Sequence, residues 1–249
     1  MSITKFVIYH QPRTGSTMLW GILGNHPEIY CERELFHQKY ERDAGFCYSQ
    51  YNSAKEYLET FYPLIQTCHK AFGFKLQGYQ AQDDDMNDVR DYLRSQNFKY
   101  IIPYRMNKLD QFISQSVAKK RDIWQRWVET PYGEKKDDPE FEVMKVHVTE
   151  KDFYNWYRWD RNLTSQIEDN VKGKEVLNVT YERFLQDREN QTNRILDFLG
   201  VTPMPLEAKT KKAREKPLRE WIANYEEACE IHDSIATPHE IEYRIEHEQ

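Results

Sequence analysis

No apolar run reaches the roughly 18 residues that a membrane-spanning helix needs, so the sequence gives no transmembrane segment. Residues 1–5 lack the basic, apolar and small-residue succession of a signal peptide, and the expected location is the cytoplasm. The 4 cysteines, Cys31, Cys47, Cys68 and Cys229, show no CxxC pair and no metal-ligand spacing, which favours free buried thiols over disulfides or a metal site. Positive charge is not in excess either: 35 Lys+Arg against 41 Asp+Glu give a net charge of −6, unlike the basic surface of a general nucleic-acid binder. Any anion site must therefore be local. The phosphate loop of Mg-dependent nucleotidases is missing too, because His10 stands where its first Gly belongs and Ser16 where its Lys belongs.

What is present suits a globular protein. The 249 residues and 30.2 kDa fit one domain over residues 1–249. Aromatic residues make up 14% of the chain and charged residues 31%, as expected for a water-exposed globule with aromatic-lined pockets.

The run Phe6-Val-Ile-Tyr-His-Gln-Pro-Arg-Thr-Gly-Ser-Thr-Met-Leu-Trp20 places an apolar strand, a turn and a helix start in succession. The first N–H groups of a helix have no intrahelical partner and lie at the positive end of its dipole, so they form an anion site to which Arg13 adds full charge. Gly15 permits close backbone approach. The competing reading is that Thr14 or Ser16 merely caps the helix, worth about 1 kcal/mol.

Strand signals occur at Lys5–Tyr9, Phe72–Leu76, Tyr100–Tyr104 and Glu175–Val179, each followed by helix-like sequence. The alternation predicts an α/β fold, a central parallel β-sheet flanked by helices with the ligand at the carboxyl ends of its strands. Helices are predicted over 83–96, 109–119, 149–171 and 189–199, with Thr149 and Asp152 as a capping box and Gly200 as a stop. The acidic run Asp83–Asp85 reads as a helix start. Residues 129–142, with two prolines and Gly133, read as a mobile loop or lid.

A second anion site is suggested after Tyr100-Ile-Ile-Pro-Tyr104. Arg105 follows the strand end, and Ser114 lies further along the next helix. A guanidinium fork matches phosphate oxygens and a hydroxyl adds a donor, each charge-assisted bond being worth about 1.5–3 kcal/mol.

Taken with their order and spacing, these segments resemble the sulfotransferases that use 3′-phosphoadenosine-5′-phosphosulfate (PAPS), in particular the bacterial branch that includes nodulation-factor and trehalose sulfotransferases. The resemblance extends to Leu177-Asn-Val-Thr-Tyr-Glu-Arg-Phe-Leu185 and Pro217-Leu-Arg-Glu-Trp-Ile-Ala-Asn-Tyr225. It implies a P-loop-like sulfotransferase fold with Arg13, Thr14, Gly15, Ser16 and Thr17 on the 5′-phosphosulfate, Arg105 and Ser114 on the 3′-phosphate, and Tyr181 near the adenine. Trp20 is displaced from the family's adenine-stacking position. The Gly-rich segment that closes over the 3′-phosphate in cytosolic relatives is absent, leaving Lys212, with Lys211 and Arg214, as its replacement.

The implied reaction moves a sulfuryl group from PAPS to a hydroxyl, amine or N-hydroxyl of a small-molecule or carbohydrate acceptor, releasing 3′-phosphoadenosine-5′-phosphate (PAP) without a metal. Arg13 would stabilise the departing phosphate. Glu34, in Glu32-Arg-Glu-Leu-Phe-His37, matches the family's catalytic carboxylate, with Glu32 and His37 as rivals. Glu34, read as part of a helix, would need burial to raise its pKa, whereas a His needs no tuning. His10 reads as a satisfied histidine at the sheet edge, or else touches the transferred group. Trp156 and Tyr157 read mostly as core, with an acceptor pocket as their alternative. Other functions open to the sequence are a small-molecule kinase and a non-catalytic nucleotide-binding module; no nucleic-acid or membrane partner is indicated, and oligomeric state is not readable.

Overall fold

The computed structural model describes residues 3–36, 48–65, 67–82, 86–122, 143–208 and 216–247. His37, Lys211, Lys212, Arg214, Asp83–Asp85 and the 129–142 loop lie outside the described residues.

The apolar runs form strands as expected: β1 (Thr4–His10), β3 (Ala71–Gln77), β4 (Phe98–Tyr104) and β5 (Val176–Thr180). Between the first two lies a strand that the sequence reading missed, β2 (Ile29–Glu34), so Glu34 ends a strand and is not helical. Among the described residues these build one parallel sheet in the order β2-β3-β1-β4-β5. After β1 the chain crosses to one side for β2 and β3, then returns to the other for β4. The carboxyl ends of β1 and β4 are therefore a topological switch point, where open α/β sheets bind ligands.

Alternation along the strands supplies both faces of the sheet. Phe6, Ile8, Ile101 and Val179 pack with α1 (Ser16–Leu23), α6 (Tyr181–Gln186) and α7 (Arg188–Leu199). Val7, Tyr9, Phe74 and Tyr100 pack on the opposite face with α2 (Ala54–Glu59), α3 (Asn87–Ser95) and the later turns of α5 (Glu150–Asn170). A satellite cluster joins α4 (Lys108–Arg121), the first turns of α5 and α8 (Tyr225–Ile235) around Phe112, Phe153 and Trp221. Helix α9 (Pro238–His247) follows, and Glu240 on it accepts from the buried Tyr157 hydroxyl.

Local chemistry sets the helix ends. Thr149 caps α5 by accepting from the Asp152 N–H, while Gly200 stops α7 at φ 73, a left-handed conformation favouring Gly. Of the described cysteines, Cys31 and Cys229 are half-buried and Cys68 is exposed, so the expectation of buried thiols fails at Cys68.

Candidate active site at the carboxyl ends of the strands

β1 feeds directly into the loop Gln11–Gly15 and then α1. Arg13 at φ 65 and Gly15 at φ 84 both take left-handed conformations, which wrap the loop tightly. Gly15 is the N-cap of α1, and no side chain caps the helix. The Thr14 hydroxyl donates instead to the Gln11 carbonyl, so simple capping does not account for this segment. The loop is braced from below. Gln111 donates to the Pro12 carbonyl and to Asp160, Gln11 donates to the Asp160 carbonyl, and Lys108 pairs with Asp160 at 2.9 Å.

The residues expected to hold the donor's two phosphates come together in one cluster and not in two separated pockets. Arg13 Nε donates to Ser114 Oγ at 2.9 Å, and Arg105 Nη1 to the Arg13 carbonyl at 3.3 Å. Tyr181 completes the group: its ring lies 4.5 Å below the Arg105 guanidinium carbon, and a Cβ on Gly15 would stand 2.5 Å from that ring. Arg105 also pairs with Asp110, and its Nε is 3.9 Å from Glu182. Glu182 accepts from the Met106 and Asn107 N–H groups, which ties the start of α6 to the turn before α4. Burial, and then the Arg105 guanidinium, push Arg13 down to about 10. Two guanidinium groups in a desolvated cluster favour the arrival of an anion.

On the other side of the loop, the ends of β2 and β3 carry a second polar cluster. The β2–β3 register shifts between Glu32 and Glu34, so Glu34 pairs with Lys75 across the strands. Such a bulge re-aims a side chain. Glu34 thereby meets Lys75 Nζ at 2.9 Å, while Glu32 accepts from the neighbouring Tyr30 hydroxyl. Lys75 also donates to Thr17 Oγ1 at 3.0 Å, linking the cluster to α1. His10 Nε2 lies 3.8 Å from Glu34 Oε1. The expectation of a raised Glu34 pKa is corrected here: burial acts upward, but Lys75, His10 and hydrogen bonds from Lys75 and Gln77 together hold it down to about 2.

Lys75, Glu182 and Asp160 escaped the sequence reading. Lys75 is buried inside an otherwise apolar strand, and the signal available was a lone Lys in Phe72-Gly-Phe-Lys-Leu76. Trp20 bonds the Cys31 carbonyl and lies under Arg33, so it is engaged with β2. Trp156 donates to Gln115 and lines a cavity of about 530 Å³ with Phe112 and Trp159 between α4 and α5, whereas Tyr157 is core.

A parallel sheet flanked by helices, with a tight strand–loop–helix turn at its switch point, defines an α/β architecture. No family model matches the chain, and no curated relative is found. Solved structures are similar to it. A sulfotransferase from Alicyclobacillus acidocaldarius matches with TM-score 0.55 and 18% identity, over 99% of this chain and 97% of that one. A sulfotransferase domain from the curacin biosynthetic pathway gives 0.50 and 10%, over 99% and 98%. One from the Synechococcus PCC 7002 olefin synthase gives 0.46 and 16%, over 95% and 90%. The chain thus has the fold of the first two, and at these identities the likeness is one of fold.

Proposed function

We propose that the chain is a PAPS-dependent sulfotransferase acting on a hydroxyl or amine of a small-molecule or carbohydrate acceptor. The observation that carries this reading is the convergence of Arg13, Arg105 and Ser114 on a loop that leads into an uncapped helix start. PAPS would supply the sulfuryl group and a phosphate leaving group.

The residues present fit that donor. Arg13 and the first N–H groups of α1 bind the 5′ end, and Arg105 and Ser114 the 3′-phosphate. Tyr181, stacked between Gly15 and Arg105, offers its ring edge to the adenine. Arg13 opposes the charge that grows on the leaving oxygen, the kind of preorganised stabilisation that supplies most of such a barrier reduction. Lys75, held by Glu34 and Thr17, places an ammonium at the far side of the loop to neutralise the sulfuryl oxygens. Glu34 takes the acceptor proton. Its low basicity suffices because the acceptor oxygen becomes strongly acidic as its bond to sulfur forms.

Calorimetric titration with PAP, ADP and ATP tests the donor site. PAP should bind most tightly, since only a 3′-phosphate engages Arg105 and Ser114; equal or tighter ATP binding would overturn the reading in favour of a kinase. Transfer from ³⁵S-labelled PAPS to a panel of sugars, alcohols and amines then separates an enzyme from a binding module.

A further inference from the structure

Two proton acceptors face each other in the site with no hydrogen between them. His10 Nδ1 lies 3.0 Å from the Gln11 carbonyl oxygen, which can only accept, so Nδ1 carries the imidazole hydrogen and Nε2 is a lone pair. That buried Nε2 makes no hydrogen bond. Its neighbour at 3.8 Å is Glu34 Oε1. The charged groups around the ring are Glu34 from β2 and Lys75 from β3; α1 contributes the uncharged Thr17 hydroxyl, bonded to Lys75. Burial first, and then Lys75, bring His10 to about 4, so the imidazole is neutral at pH 7.

A lone pair set against a carboxylate is unfavourable until one proton enters between them. We propose that His10 is a positioning residue that forms, with Glu34, a single shared proton site. The use of that site in turnover rests on the sulfotransferase reading. As the acceptor oxygen bonds to sulfur, the bond from sulfur to the 5′-phosphate oxygen breaks and its electron pair stays with that phosphate. The acceptor proton passes to the Glu34 carboxylate, and the new O–H donates to His10 Nε2. Lys75 makes Glu34 a reluctant proton acceptor, and His10 adds to that only once it is itself protonated; at pH 7 the imidazole is neutral, and its lone pair offsets the ammonium.

Acid titration of the protein labelled with ¹⁵N in histidine and ¹³C in glutamate tests the shared site without reference to activity. The expected result is a His10 protonated on Nδ1 and bare on Nε2 at pH 7, with the His10 nitrogens and the Glu34 carboxyl carbon shifting together as the first proton enters on acidification. A hydrogen on Nε2 at pH 7, or two independent transitions, overturns the proposal. In turnover, His10→Gln should lower kcat by about 10–100-fold, with the KM for PAPS and the affinity for PAP unchanged. Imidazole should restore His10→Ala, and pyrazole, of the same shape but little basicity, should not. Equal rescue by both, or an undiminished kcat in His10→Gln, assigns His10 to packing and overturns its role. A shared titration in a protein that transfers no sulfuryl group leaves the proton site standing and removes the functional reading instead.

Discussion

The arginine side and the carboxylate side of the cleft match their charges in opposite ways. Around Arg13 and Arg105, two guanidinium groups crowd one another, and each spends bonds on neutral oxygens of Ser114 and of the loop; the carboxylates nearby, Asp110 and at 3.9 Å Glu182, both face Arg105. Around Glu34, one buried carboxylate meets one buried ammonium, and the nearby imidazole is neutral. The first side gains when an anion is added. The second is already balanced and loses when either partner is removed. An enzyme that must bind a multiply charged donor and also move one proton needs both arrangements, kept apart by the width of a phosphate loop.

The comparison breaks most visibly at Lys75. Lys75→Met leaves Glu34 buried without its partner and should cost about 3–5 kcal/mol at pH 7 in chemical denaturation. Adding Glu34→Gln should recover most of that loss. A single-variant cost below about 1 kcal/mol would mean that the pair behaves as an ordinary surface salt bridge.

Arg13→Ala acts on the other side and should divide the two readouts differently. Turnover is expected to fall about 10²–10³-fold, equivalent to about 2.7–4 kcal/mol of transition-state stabilisation, while folding stability changes little or improves as the repulsion with Arg105 is relieved. Near-normal turnover would remove Arg13 from the leaving-group role.

Acid sharpens the contrast. Glu34 is held at about 2 against its ordinary 4.5, so it stabilises the fold above pH 4.5 and that contribution is lost as the pH falls from about 4.5 to about 2. The shift corresponds to about 3 kcal/mol. Glu28 is likewise held down to about 2 and Asp233 is lowered too, so the quantity to measure is the difference between the wild type and Glu34→Gln as a function of pH. That difference should vanish near pH 2. A difference independent of pH would show that the substitution acts through packing.

The two sides were also unequally legible in the sequence. The arginine side follows the chain: strand, loop and helix start are contiguous, and Arg105 and Ser114 sit at a strand end and on the next helix, where local pattern finds them. The carboxylate side depends on β2, an edge strand whose Cys-Glu-Arg-Glu segment is half-exposed and lacks the continuous apolar run of buried parallel strands. Glu34 meets Lys75 only through the β2–β3 register and its bulge, a relation between segments far apart in sequence that composition does not reveal. Burial also had the opposite net outcome from the one expected for Glu34, because the opposing ammonium came from a residue hidden in an apolar run.

The smallest predicted effect tests whether the arginine side depends on backbone shape as well as charge. Gly15→Ala places a Cβ 2.5 Å from the Tyr181 ring and puts an L side chain at φ 84. The backbone penalty alone is about 1–2 kcal/mol. The clash is a separate cost, and it is relieved if Tyr181 moves away from Arg105, at the expense of that cation–π contact. The Gly15→Ala, Tyr181→Ala double variant should therefore recover the steric part and retain the backbone part, read as a positive coupling in a double-mutant cycle on stability. PAP affinity should fall in Gly15→Ala while the acid titration of Glu34 stays where it was. A shift of that titration would mean that the two sides of the cleft are mechanically coupled through the loop, and the division drawn between them would fail.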